Sequence, residues 1–491
     1  MKRRAVLGAG AAALGAAGLG WSLLTPKRPG KLLHSRAPLP RPFEARLTIP
    51  PVLSGEEITQ REAELSILPG LTTRAWTYNG SFPGPTVVTR SGRAATVTHR
   101  NQLPEPVVVH LHGGHTPAGS DGYPIDLIMP EAGAAGGAMH HDMATMTGDM
   151  TVGSRTYRYP MQQRAATLWY HDHRMGFTGP AVYRGLAGFH LVRDDEEDAL
   201  PLPTGDRELP LMITDRAFEA DGSFRYPSGD SEYMNGILGD VILVNGLPWP
   251  VHEVDPARYR LRLLNASNAR RYRLELDPQP PGGNAFIQIG SDGGLLARPI
   301  VHDTLELAPA ERFDVVVDFA RYKPGAEVRL IDRDNGNVMR FDVKGPKSKD
   351  PSVVPPVLST TAEPLPPPKR SRTFRFGQGR DGTWRINDLD YRPGRALARP
   401  RLGEVEHWRF VTDFHHPIHL HLNHFQVISR NANEPGPYDH GWKDTVDLRA
   451  SEAVEIAVRF TDYTGTFMLH CHNLEHEDMA MMADFVVEGA P

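Results

Sequence analysis

His470-Cys471-His472-Asn473-Leu474-Glu475-His476, with Met481 five residues further on, is the stretch from which the rest of this 491-residue chain can be read. Cys471 is the only cysteine, so an intramolecular disulfide is excluded as its purpose. In an extended strand, successive side chains point to opposite faces. Cys471 therefore faces one way while His470 and His472 face the other. One short strand can then serve two metal sites, giving a thiolate to one and two imidazoles to the other. Thiolate, histidine and a weak axial methionine are the ligand set of a mononuclear copper electron-transfer site. The triplet points to copper redox chemistry.

The remaining histidines support that reading. With 22 histidines in the chain, about one His-x-His pair is expected by chance, and a single pair would carry little weight. There are four: His110/His112, His171/His173, His419/His421 and His470/His472. The third is extended backwards as His416-Pro417-Ile418-His419-Leu420-His421, and the fourth forwards to His476. Strand parity puts both members of each pair on one face and sets His419 and His421 opposite His416.

His110-Leu111-His112-Gly113, Trp169-Tyr170-His171-Asp172-His173, His416 to His421, and His470 to His476 resemble the copper-binding signatures of the multicopper oxidases, in family order. Flanking stretches such as Ser120-Asp121-Gly122, Trp442-Lys443-Asp444-Thr445-Val446 and Leu474-Glu475-His476-Glu477-Asp478 are similar to the branch containing bacterial spore-coat laccases and bilirubin oxidases. The resemblance runs from about residue 45 to the C-terminus. It implies an all-β chain of three cupredoxin-like Greek-key β-sandwich domains.

The resemblance also implies four coppers per chain. His416, Cys471 and His476, with Met481 axial, would hold the type 1 copper, and His110 and His419 the type 2 copper. His112, His171 and His472 would hold one type 3 copper, and His173, His421 and His470 the other. Asp121 and Glu477 stand where family members have a carboxylate near the cluster, which suits a proton carrier. Asp172, between two ligands, reads as a histidine-orienting or structural residue. The implied activity is laccase-like: one-electron oxidation of phenols, aromatic amines or similar reductants, coupled to four-electron reduction of dioxygen to water.

Length suggests about three domains. The 54 basic and 59 acidic residues nearly balance, leaving no basic stripe for nucleic acid. Forty-four prolines and 47 glycines favour short strands and many turns. Residues 1–37 form a separate object: Lys2-Arg3-Arg4, then an apolar Gly/Ala-rich segment from Ala5 to Leu24, then Lys27, Arg28 and Lys31. This resembles a twin-arginine export signal, with Ser35-Arg36-Ala37 as a small-x-small cleavage motif; an uncleaved N-terminal anchor is the other reading. The mature chain is expected to be a soluble monomer, periplasmic, on the cell surface or secreted. No other stretch approaches the roughly 18 apolar residues a bilayer span needs.

A weak repeat lies beneath the motifs. Asn79-Gly80, Asn245-Gly246 and Asn387-Asp388 each precede an alternating segment, namely Ala94 to Asn101, Tyr259 to Asn265 and Val405 to Phe410. Domains are accordingly expected at 38–200, 201–343 and 373–491, with an exposed Pro/Ser/Lys-rich linker at 344–372. The middle copy has Asn265 to Arg271 where the third has His416 to His421, so every copper ligand falls in the outer two. The segment from Met129 to Met150, rich in methionine and carrying His140 and His141, has no sandwich periodicity. It offers soft ligands for Cu(I), so a cuprous oxidase acting in copper tolerance stands as the alternative. Copper nitrite reductase is disfavoured by the complete His-x-His set, and a non-catalytic copper scaffold by the intact ligands.

Overall fold

The computed structural model describes residues 30–132, 148–227, 233, 235–346, 349–361 and 364–489. Its architecture is three β-sandwiches in chain order. In the first, the sheet Thr73–Tyr78, Glu57–Leu65, Ala95–Asn101, Ser154–Tyr159 packs on the sheet Gly84–Arg90, Ala187–Arg193, Ala166–Asp172, Val109–His112. The second packs a seven-stranded sheet on a five-stranded one, and the third has two five-stranded sheets. Strand sequences explain the layering. In Ser154–Tyr159, Arg155, Tyr157 and Tyr159 are buried while Thr156 and Arg158 are exposed, the alternation of a half-buried strand.

The weak repeat has a structural cause. Asn79, Asn245 and Asn387 all adopt positive φ (57°, 48° and 56°), a conformation that asparagine tolerates better than most residues. Each side-chain oxygen accepts a backbone N–H from the unit's long first strand: Thr59 at 2.7 Å, Met212 at 2.8 Å and Arg375 at 2.8 Å. Each asparagine N–H donates back to the carbonyl of that same residue. In all three units the strand so gripped runs parallel to the alternating strand downstream.

Strand parity sorts the motif residues between core and interface. Phe467, Leu469 and Cys471 enter the third unit's apolar core, together with Ile418 and Leu420. Antiparallel register then sets Ile418 beside Cys471 and His419 beside His470, so the imidazoles face away from that core. In the first unit Val109, Leu111, Leu168 and Tyr170 are core residues. Register there pairs His171 with His110. Each unit thus shows a histidine face to the other.

One expectation needs correction. Residues 1–29 of the proposed leader lie outside the described residues, but residues 30–37 belong to the folded body. Lys31–Leu33 pairs in parallel with Ile237–Gly239, Leu33 is buried, and the Ser35 hydroxyl donates to Asp240 at 2.5 Å. Cleavage after Ala37 would strip a strand from the fold. The linker is exposed over most of its described residues and anchored at a few. Ser352, Leu358 and Ser359 are buried, and Val353 and Leu358 donate backbone hydrogen bonds to Pro201 and Ala297. The third unit's first strand starts at Arg370. Among the described residues no helix is long and apolar enough to cross a membrane.

Candidate metal centres

Cys471 ends the strand Gly465–Cys471, His416 opens His416–Leu420, and His476 sits in the one-turn helix Leu474–Asp478. Cys471 Sγ lies 3.4 Å from His416 Nδ1 and 3.6 Å from His476 Nδ1, and the two Nδ1 atoms are 3.1 Å apart. Ligand bonds of about 2.0–2.3 Å give a trigonal set edges of about 3.5–4 Å, so this triangle is close to the size a metal ion requires. Backbone bonds hold it: Cys471 N donates to Met481 O, and Met481 N to His476 O. The Met481 side chain is buried in the same cluster as Cys471. Trp384 lies against His476 with ring centroids 4.1 Å apart. Burial pushes the Cys471 thiol well up, so its thiolate is stable there only beside a cation.

The other eight histidines are nearly inaccessible, at 0–1% exposure, and gather between the first and third units. His112, His171 and His472 form one group, and His173, His421 and His470 a second. His110 Nε2 faces His419 Nε2 at 3.3 Å. His421 also comes close to that pair, but its Nε2 lies 3.1 Å from His470 Nε2, which assigns it to the second group. His112 Nδ1, His171 Nε2 and both nitrogens of His472 are buried without a hydrogen-bond partner. Orphaned nitrogens converging in this way fit soft-to-borderline metal ions such as copper.

Neighbouring oxygens fix each ring. Carbonyls can only accept, so Nδ1–H donates from His110 to Asp121 O (2.5 Å), from His171 to Asp172 O (2.7 Å) and from His419 to Asp444 O (2.9 Å). Nε2 is thereby left free for a metal. His112 is reversed: its Nε2 meets the Asp444 carboxylate at 3.0 Å, which leaves Nδ1 for the cluster. His112, His419 and Asp444 also make a compact triad. It uses the outer nitrogens of rings already turned inward, so it is a hydrogen-bonded support and not a further metal site.

Both expected proton carriers touch the cluster. Asp121, buried after the turn Ala118–Ser120, sets Oδ2 2.7 Å from His421 Nδ1, while its Oδ1 is buried without a partner. Burial pushes its carboxyl well above the usual range. Glu477 accepts from Thr178 Oγ1 at 2.7 Å and lies 3.2 Å from His470 Nδ1. Burial would raise it, but the imidazoles of His470 and His173 prevail and hold it below the usual carboxylate range. Asp172 acts twice: its carboxylate accepts from Val108 N and Arg174 N, and its carbonyl orients His171.

Sequence reasoning missed three features. Asp444 stood in a quoted motif without a role. Glu475, pushed up to about 7 by burial, accepts from Asn268 Nδ2 at 2.8 Å; only its place in the helix signalled it. A cavity of about 590 Å³, lined by Leu32, Leu238, Arg271, His415, Tyr438 and Asp447 among others, adjoins the mononuclear site through His415 and has no sequence signature. The Met/His-rich segment lies outside the described residues over 133–147.

Known proteins give the same picture. Family models described as multicopper oxidase match residues 59–135 with 139–197, and residues 365–490. A laccase of Bacillus stratosphericus is 38% identical, covering 87% of this chain and 93% of its own. A bilirubin oxidase of Albifimbria verrucaria is 36% identical, covering 91% and 80%. A multi-copper oxidase structure from Pediococcus acidilactici superposes with a TM-score of 0.81 at 32% identity, covering 94% of each chain.

Burial of neutral imidazoles predicts a pH dependence. Burial lowers His110, His112, His416, His421, His472 and His476 well below their ordinary value, His171 to about 3 and His173 to about 4. Below about pH 6.5 the unfolded chain takes up protons that the folded chain refuses, so stability is complete above that pH and falls as pH drops. Each such histidine costs about 1.4 kcal/mol per pH unit until it titrates in the fold. Urea melts of copper-free protein should therefore weaken steeply between pH 6.5 and 4.5. A loss confined to the carboxylate range below that would contradict neutral burial.

Proposed function

The chain belongs to the multicopper oxidase family, and from that premise we propose a laccase-like enzyme that takes single electrons from phenols, aromatic amines or similar reductants. It is a copper oxidoreductase with dioxygen as acceptor. The observation that carries the reading is the coexistence of the Cys471 triangle with eight converging imidazoles. His416, Cys471, His476 and axial Met481 are proposed to hold the type 1 copper, and His110 and His419 the type 2 copper. One type 3 copper falls to His112, His171 and His472, and the other to His173, His421 and His470. When bound, the first copper supplies one-electron acceptance, and the other three supply four-electron reduction of dioxygen, with four protons, to two waters.

The residues supply the rest. Cys471 is joined by one peptide bond each to His470 and His472, which gives the two centres a covalent link. Both proposed ligand sets are buried. Asp121 and Glu477 are pushed to opposite sides of the ordinary carboxylate value by their surroundings, a division suited to one carboxyl holding a proton and another staying ionised. Asp121 would present its proton at the unpartnered Oδ1. The cavity beside His415 offers a reductant a place within one residue of His416. Export by the twin-arginine-type segment, to the periplasm, cell surface or exterior, is part of this proposal, and cleavage before residue 30 would leave the Lys31–Leu33 strand intact. The alternative, a cuprous oxidase, rests on the soft ligands Met139, His140, His141, Met143 and Met146.

Cys471→Ser should abolish the intense blue absorption and turnover while the eight histidines still take up copper. A blue band surviving in that variant would overturn the type 1 assignment.

Glu477→Gln and Asp121→Asn keep size but remove the titratable group. Oxygen consumption should fall about a hundredfold or more and its pH profile shift, with copper content and blue band retained. Unchanged rates across pH would remove the proton role.

Replacing Met139, His140, His141, Met143 and Met146 with serine separates the two substrate readings. Phenol oxidation should persist. A selective loss of Cu(I) oxidation would favour the cuprous alternative, and equal retention of both activities would dismiss it.

A further inference from the structure

The second sandwich supplies none of the proposed copper ligands, yet one of its side chains reaches the cluster's support. We infer that Arg312 is a positioning residue: it locks Asp444, whose carboxylate orients His112 and whose carbonyl orients His419, and so sets how firmly the type 2 copper is held. This rests on the ligand assignment proposed above.

The guanidinium is buried, and all five of its N–H groups are used. Nη1 donates to Asp444 Oδ1 at 2.8 Å and Nη2 to Oδ2 at 2.5 Å, a two-pronged fork that only arginine can make. Nε donates to Thr167 O at 2.8 Å, and the remaining N–H groups to Ala310 O (3.0 Å) and Asp292 O (3.2 Å). Thr167 lies on the strand that carries His171, Ala310 and Asp292 belong to the second sandwich, and Asp444 belongs to the third. One cation therefore ties all three units together at the back of the cluster. Gly113, next to His112, makes room for it. A Cβ there would sit 2.7 Å from both Arg312 Nη2 and Asp444 Oδ2.

Asp444 passes the constraint on. Its Oδ1 meets His112 Nε2 at 3.0 Å and accepts from Thr445 Oγ1 at 2.9 Å, and its carbonyl accepts from His419 Nδ1 at 2.9 Å. Asp292 steadies the same peptide from the second unit, with Oδ2 accepting from the N–H groups of Asp444 and Thr445 at 3.3 Å. Each type 3 copper has three proposed imidazoles, but the type 2 copper has only His110 and His419. Loss of orientation in one ring should therefore be felt most at the type 2 site.

The test uses full-length, copper-loaded protein with Arg312→Lys, Arg312→Gln and Thr445→Val. Type 2 copper is followed by electron paramagnetic resonance during chelator titration, with the type 1 blue band as the record of an intact fold. Loss of a ligand-orienting partner typically weakens metal binding about 10- to 100-fold. Arg312→Gln should show that loss with an altered type 2 hyperfine pattern and a retained blue band. Arg312→Lys, which keeps charge but not the fork, should fall between. Thr445→Val removes the hydroxyl that donates to the same carboxylate and that also lies 3.1 Å from His112 Nε2 and 3.4 Å from His419 Nδ1; it strands no buried charge and should shift the type 2 signal in the same direction. A wild-type type 2 signal and chelator resistance in Thr445→Val or in a blue Arg312 variant overturns the inference, as does loss of all coppers in parallel. Absence of a type 2 signal from the wild type would instead overturn the underlying ligand assignment.

Discussion

Eight imidazoles are buried nose to nose between the first and third sandwiches, with facing nitrogens as close as 3.1 Å. Burial opposes protonation of His110, His112, His171, His173, His419, His421 and His472, and the lone pairs of the set converge on one another with no donor between. Such a set is costly in a folded protein unless cations sit among the nitrogens. Much of the surrounding structure can be understood as holding this frustrated set in place. Carbonyls fix His110, His171 and His419, and carboxylates fix His112 and His421. Metal-binding energy is thereby spent little on ordering the ligands.

The same constraint accounts for the mutual dependence of the units. Neither outer sandwich closes the cluster alone, because His110, His112, His171 and His173 come from one and the other four histidines from its partner. The interface must hold ring positions to a fraction of an ångström, a precision apolar contact alone does not supply. Buried ion pairs supply direction instead. Arg312 binds Asp444, and Lys443, fully buried, sits 3.0 Å from Asp292 and 3.1 Å from Glu311. Pairs of this kind add little net stability but penalise every wrong arrangement heavily.

How much of this was legible depended on whether backbone period or tertiary contact decided it. The division of Cys471 from His470 and His472, and of Ile418 from His419, follows from a period of two, so the faces of Cys471 and of the four His-x-His pairs could be read directly. The repeated asparagine turn was visible too, because positive φ restricts the residue type at Asn79, Asn245 and Asn387. Asp444 and Arg312 are 132 residues apart, and nothing local marks either as the other's partner. Lys31–Leu33 was hidden by the basic flank of a leader-like segment, and Leu358 by proline-rich surroundings that read as exposed. Leu33 is buried by the distant second unit and Leu358 by folding back on the unit just before it, and composition reports neither.

The ligand-free middle unit follows the same logic. Where the third repeat carries His416 to His421, the second carries Asn265 to Arg271, and two of these residues, Asn268 and Arg271, have turned outward to the neighbours. Asn268 donates to Gly179 O of the first unit and to Glu475 of the third. Arg271 forks onto Asp447, close to His415 and the mononuclear site. A stretch that supplies proposed metal ligands in one copy bonds to the other two copies in the next. Hydrogen-bonding side chains at that sandwich edge can serve either purpose, and the choice between imidazole and amide or guanidinium decides which. The second sandwich is thus the frame against which the two halves of the cluster are aligned, and that is a reason for a chain with two ligand-bearing units to keep a third between them.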